Sequence, residues 1–170
     1  MLSTYTGLVS LLFGTHIHHM KILVAHVAVL AGADLQGQCA GCFKAGLAVA
    51  LGQRADWADS IDAADLYLSV ISIQELEIGV LLAERRDPSQ GAIFRTWLNG
   101  HVLPAFIGRI LAVDTAVALH SARLHVPDPR PVRDGLIAAT ALAHGMTVVT
   151  RNVADFKPTG VPTLNPWIGP

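Results

Sequence analysis

Apolar positions along the chain switch between two spacings. Ile22 to Leu30 (ILVAHVAVL) is almost continuously apolar and predicts an interior strand, and Arg54 to Asp59 predicts a short helical stretch anchored by Trp57. In LYLSVISI (66–73), apolar residues 66, 68 and 70 alternate with Tyr67 and Ser69 before the run turns wholly apolar, which predicts a second strand. From Gln74 to Glu84 the period changes: Leu76, Val80 and Ala83 fall on one helical face. A second helix is expected over 92–106, with Ile93, Phe94, Trp97 and Leu98 together. RILAVD (109–114) predicts a short strand, and 115–126 a helix capped by Asp114 or Thr115. Pro127, Pro129 and Pro131 exclude regular structure between that helix and the next, expected over 134–145 and closed by Gly145. TVVT (147–150) reads as a strand and VPTLNPW (161–167) as a last extended piece.

Strands alternating with helices predict an α/β sandwich around a mainly parallel sheet. In such sheets ligands sit outside the carboxyl ends of the strands. That rule gives meaning to an abrupt change in TVVTRNVADF (147–156), where a buried-looking strand runs into Thr150, Arg151 and Asn152, with Asp155 just beyond. Glu75, after the strand at 66–73, and Asp134, opening the helix that leads into TVVT, lie at comparable strand ends. Three carboxylates at close quarters repel one another unless a cation compensates. Oxygen-only ligands select a hard cation, Mg²⁺ or Mn²⁺, and such an ion suits phosphodiester chemistry. Each residue also has a plainer role. Ser72 to Glu75 matches a capping box, Asp134 an N-cap, and Asn152 and Asp155 an Asx turn.

Composition narrows the setting. The 170 residues suffice for one domain with a proper core. Mean hydropathy is +0.46, yet no uninterrupted apolar run reaches the ~18 residues of a membrane span. A net charge of −1 supplies no global field for a polyanion, so RNA or DNA would have to be held by local groups or a bound cation. Two cysteines give no disulfide framework and fit a reducing, cytoplasmic compartment. Residues 1–53 carry only Lys21, Asp34 and Lys44 as charged side chains, but both cysteines and four of the eight histidines. This marks a compositional boundary near residue 53. MKILVAHVAVLAGAD (20–34) has some features of a signal peptide, but His26, a single lysine and nineteen preceding residues favour a buried strand.

From about Arg54 to Trp167 the chain resembles the PIN-domain ribonucleases, in particular the VapC-like toxins of bacterial toxin–antitoxin pairs. The resemblance rests on DLYLSVISIQELEIGV (65–80), DGLIAATALAHGMTVVTRNVADF (134–156) and LNPW (164–167). It implies a three-layer sandwich, an RNA substrate cut with Mg²⁺ or Mn²⁺, a cognate antitoxin protein as partner, a homodimer, and no membrane association. Carried over, Glu75, Asp134 and Asp155 match the acidic ligands, while Thr150 and Asn152 match the polar pair that orients the site. Asp134 is then the first metal contact, Glu75 holds the metal or its water, and Asp155 anchors a second ion or its water. Arg151 either meets substrate phosphate or braces its own loop.

One part of the pattern is missing. The family's first strand runs into Asp-Thr-Asn, and that Asp is a principal ligand; here Met20 to Val24 is followed by Ala25-His26-Val27. Three explanations compete: Asp34 replaces the lost ligand, the protein is an inactive relative that still binds its partner, or residues before about 53 are translated out of the ancestral frame. The same segment offers a rival zinc chemistry in Cys39-Ala40-Gly41-Cys42 with His16, His18, His19 and His26, although a lone C-x-x-C is a weak signal.

Overall fold

Ile22, Leu23 and Val24 (β1) lie at the centre of the sheet, and the rest of the fold is arranged around them. The computed structural model describes residues 22–24 and 61–166. The remaining strands are β2 (Leu66–Ser69), β3 (Ile110–Leu111), β4 (Thr147–Val149) and β5 (Thr163–Leu164). Their order is β3-β2-β1-β4-β5, and every pairing is parallel. Val24 is in register with Leu68 on one side and Val149 on the other. The carboxyl ends of β2 and β4 therefore flank the carboxyl end of β1. Parallel strands require crossovers; among the described residues those that follow β2, β3 and β4 are helical and cover both faces.

One face is covered by α1 (Val70–Arg86) and α2 (Pro88–Trp97). Leu66, Leu68 and Val149 of the sheet pack there with Leu76, Val80, Phe94, Leu98, Val102 and Phe106. The opposite face is covered by α3 (Thr115–Leu124), α4 (Val132–His144) and the short α5 (Val153–Phe156). There Leu23 and Val148 pack with Ile137, Ala138, Ala141 and Phe156. The result is the expected three-layer α/β sandwich with a parallel sheet.

The α1–α2 hairpin depends on close backbone approach. A Cβ on Gly91 would lie 2.4 Å from the Glu84 Cα, so only glycine lets α2 come so near. Arg95 then bridges back to α1, its Nη1 donating to Glu77 Oε2 (2.6 Å) and its Nε to Glu84 Oε1 (3.0 Å). The Arg95 guanidinium holds the Glu84 carboxyl below the usual carboxylate value. The pairs are partly exposed, so they fix the hairpin's geometry more than they stabilise it.

Several boundaries differ from the sequence expectation. The strand expected over 66–73 stops at Ser69, whose Oγ accepts from the Ile71 amide 3.2 Å away and caps α1. Val70 to Ile73 therefore form the first turn of a helix. A short, continuous apolar run fits a strand or a helix equally well by spacing alone. The helix expected over 92–106 begins earlier, at Pro88, capped by Asp87. It continues through a π-helical stretch, Leu98–Val102, into a last turn at Leu103–Ala105. Its buried line is Phe94, Leu98 and Val102, while Ile93, expected on that face, is 42 % exposed. The strand over 109–114 is reduced to two residues, and the extended piece at 161–167 pairs only through Thr163–Leu164. Asp114 caps α3 as expected, accepting from the Val117 amide at 2.9 Å, and Gly145 ends α4 with φ 63°.

The short helix at 54–59 with Trp57, the continuation of the first strand past Val24, Asp34, and the cysteine–histidine cluster all lie outside the described residues.

Leu23 is fully buried at the middle of the central strand. Leu23→Ala is expected to cost about 2–5 kcal/mol in urea denaturation. A loss near zero would show that this segment does not supply the central strand in solution.

Candidate functional site at the carboxyl edge of the sheet

Buried polar side chains gather at one place. Ser69 ends β2, Ser72 lies in the first turn of α1, Asp134 in the first turn of α4, and Thr150 follows β4; all four are buried. Parallel register sets Ser69 and Thr150 on either side of the carboxyl end of β1, and Ser72 and Asp134 lie in the turns that open α1 and α4. Burying polar groups is costly unless they are hydrogen-bonded.

The TVVTRNVADF stretch now has a physical account. Val148 and Val149 are buried in opposite faces of the sheet. The ladder then extends one step, the Thr150 amide donating to the Leu164 carbonyl at 3.1 Å. Beyond it the chain folds on itself. Thr150 Oγ1 accepts from the Asn152 amide at 3.0 Å, Asn152 Nδ2 donates to Asp155 Oδ2, and Asn165 Nδ2 donates to the Arg151 carbonyl at 3.2 Å. Asp155, in the short α5, is therefore an oriented and exposed carboxylate, and Arg151 and Asn152 are exposed just before it.

The other two acids sit deeper. Asp134 is the third residue of α4, not its N-cap; the helix starts at Val132 after Pro131, whose fixed φ suits entry into a helix. Glu75 is half-buried and lies well inside α1, because Ser69 rather than Ser72 caps that helix. The capping-box role for Ser72 and Glu75 thus falls, since both are past the helix start. Ile71 and Glu75 are four residues apart on one face of α1. Ile71 packs against the cluster that contains Leu23, Ile137 and Ala138. Asp134 precedes those two α4 residues by one turn, so both carboxylates border the meeting of α1 and α4 at the sheet edge.

Among the described residues, no group of three or more His, Cys, Asp or Glu side chains is disposed to hold a metal ion. Asp155, in the short α5, is turned to Asn152, while Glu75 lies in α1 and Asp134 in the first turn of α4. The donor chemistry is all oxygen, which suits a hard cation bound through one or two carboxylates, with water and substrate oxygens completing its shell. The residue after Val24 is Ala25, which has no donor atom in its side chain.

A sequence model of the PIN domain matches residues 51–159. The chain belongs to the PIN-domain family. VapC ribonuclease Y4jK of Sinorhizobium fredii is 38 % identical over 116 residues, 65 % of this chain and 81 % of that protein. Toxin FitB of Neisseria gonorrhoeae is 36 % identical over 116 residues, 65 % of this chain and 82 % of FitB. Among solved structures, FitAcB from N. gonorrhoeae aligns with TM-score 0.67 and 29 % identity, covering 86 % of this chain and 98 % of that one. VapBC2 from Rickettsia felis bound to a promoter DNA fragment aligns with TM-score 0.51 at 20 % identity, over 85 % and 97 % of the two chains, a likeness of fold. No helix among the described residues is long and apolar enough to cross a membrane.

Sequence reasoning assigned Ser69 to a strand interior and gave Asn165 no individual role in this PIN domain. The usable signals were a serine ending a strictly alternating segment, and an Asn-Pro pair closing the last strand.

Thr150→Val keeps the buried shape but removes the acceptor for the Asn152 amide. It is expected to lower stability by about 1 kcal/mol in urea denaturation, with faster amide exchange at Asn152. Unchanged exchange there would mean that Thr150 does not hold the loop.

Proposed function

We propose that this PIN domain is a divalent-cation-dependent endoribonuclease, the toxin of a toxin–antitoxin pair, with residues 54–167 and the central strand β1 forming the working unit. The observation that carries the reading is that buried Ser69 and Thr150 flank the end of β1, with buried Ser72 and Asp134 in the first turns of α1 and α4. The ribonuclease and toxin names of relatives at 38 % and 36 % identity support it. Asp134 would make the first contact with Mg²⁺ or Mn²⁺, Glu75 would hold the ion or its water, and Asp155, oriented by Asn152, would anchor a second ion or its water. Once bound, the cation would polarise the scissile phosphate and lower the pKa of an attacking water. Arg151, exposed beside the site, would meet the RNA backbone, and Thr150 would keep the loop in place. A protein antitoxin is the proposed partner, because the relative from N. gonorrhoeae at 36 % identity is named toxin FitB. A homodimer and a cytoplasmic location belong to the same proposal.

A second reading follows from Ala25, which stands where the family's first acid is expected. With that ligand gone the protein would be an inactive relative that still binds its antitoxin. Asp34 is the candidate replacement under the first reading.

The two readings differ in an RNA cleavage assay with Mn²⁺. The nuclease reading expects cleavage by the wild type, suppression by EDTA, and a loss of about 100-fold or more in Asp134→Asn with the fold retained. Equal cleavage by Asp134→Asn would show that the site is elsewhere. No cleavage by the wild type, with activity restored by Ala25→Asp, would establish the inactive-relative reading.

A further inference from the structure

The peptide unit joining Arg151 to Asn152 is held at both ends. Its N–H donates to Thr150 Oγ1 at 3.0 Å, and its C=O accepts from Asn165 Nδ2 at 3.2 Å. In a trans peptide the N–H and C=O point in opposite directions, so two such bonds fix the rotation of the plane about the chain. Asn152 extends from that plane, and its Nδ2 in turn donates to Asp155 Oδ2. A side chain on the last strand segment is thus linked through one peptide to the carboxylate of the site loop.

Two features preset Asn165 for this task. It directly follows β5, whose Leu164 pairs with Val149 and accepts from the Thr150 amide at 3.1 Å. It also precedes Pro166, which is buried and restricts the residue before it to extended conformations. The amide is therefore delivered to the Arg151 carbonyl from a strand already in register with β4.

We propose that Asn165 is a positioning residue for Asp155, acting through the clamped 151–152 peptide. The proposal rests on the reading of Asp155 as a residue that serves a divalent cation or its water. It gives the Asn-Pro of the closing LNPW a role separate from strand pairing: without the Nδ2 donor the peptide turns, the Asn152 amide leaves Thr150, and Asp155 loses its orienting partner.

The test uses the full chain, with Asn165→Ala, Thr150→Val and the double variant. Three quantities are read: amide exchange at Asn152, Mn²⁺ affinity by calorimetry without RNA, and kcat and KM for RNA cleavage. Asn165→Ala is expected to speed exchange at Asn152, to weaken Mn²⁺ binding and to lower kcat by about 10-fold, with KM for RNA changed less than about twofold. Because both side chains clamp one peptide, the double variant should be little worse than the more severe single one. Mn²⁺ affinity and kcat within about twofold of wild type in Asn165→Ala would overturn the proposal, as would fully additive losses. Thermal melting separates these effects from unfolding, and Asn165→Ser, which retains a donor hydroxyl, replaces the alanine variant if that one fails to fold. Faster Asn152 exchange in a protein whose wild type neither cuts RNA nor binds Mn²⁺ would sink the nuclease reading and leave the clamp standing.

Discussion

The structure depends on three residues being accepted as the middle strand of a parallel sheet. Parallel pairing on both sides of Ile22–Val24 brings the ends of β2 and β4 to either side of one point. Each of those ends then turns away through a different device. At Ser69 a side-chain cap starts a helix at once, and at Thr150 the hydroxyl folds the loop back on itself. Apolar faces above and below the sheet leave the polar groups at these strand ends to turn outward along the rim, where Ser69 and Thr150 are buried. The site is a consequence of the topology before it is a matter of particular acids.

The parts of the fold written in clean periodicity were legible in the sequence. The helical line Leu76–Val80, the Asp114 cap, the Gly145 terminus and the TVVT strand could be read because local chemistry and global packing agree there. Ambiguity entered where they compete. Val70 to Ile73 are β-branched or small and read as strand, yet packing of α1 over the sheet edge takes them into a helix. Likewise, the helix buries Phe94, Leu98 and Val102 and leaves Ile93 exposed, and its later part becomes π-helical at Leu98–Val102. Neither outcome is encoded in spacing alone.

For the site, sequence identified which residues reach the rim but not how they are held. Thr150, Asn152 and Asp155 were legible as a polar group past a strand end, and the structure joins them through successive hydrogen bonds. Among the described residues, no three His, Cys, Asp or Glu side chains are disposed to hold a metal ion. Sequence position places a carboxylate at a strand end, but the side chain's direction depends on where the helix begins. Moving the cap from Ser72 to Ser69 carries Glu75 almost a full turn along α1. Asn165 escaped notice because its partner is a backbone carbonyl fourteen residues away, and no side-chain pattern reports a bond of that kind.

Ala25 alters the electrostatics of the proposed reading in a definite direction. A carboxylate removed from a cation site lowers both the repulsion among the acids and the attraction for the ion. A hard cation held by one or two carboxylates completes its shell with water and, when RNA is present, with phosphate oxygens. Its affinity is then coupled to substrate binding, because each supplies charge that the other needs. By linkage the coupling is reciprocal: RNA strengthens the ion's hold by the same factor as the ion strengthens RNA binding. In such a site, fixing the direction of each remaining carboxylate matters more than it does in a full cage. That is the circumstance in which a clamp on the Asp155 loop has the greatest effect.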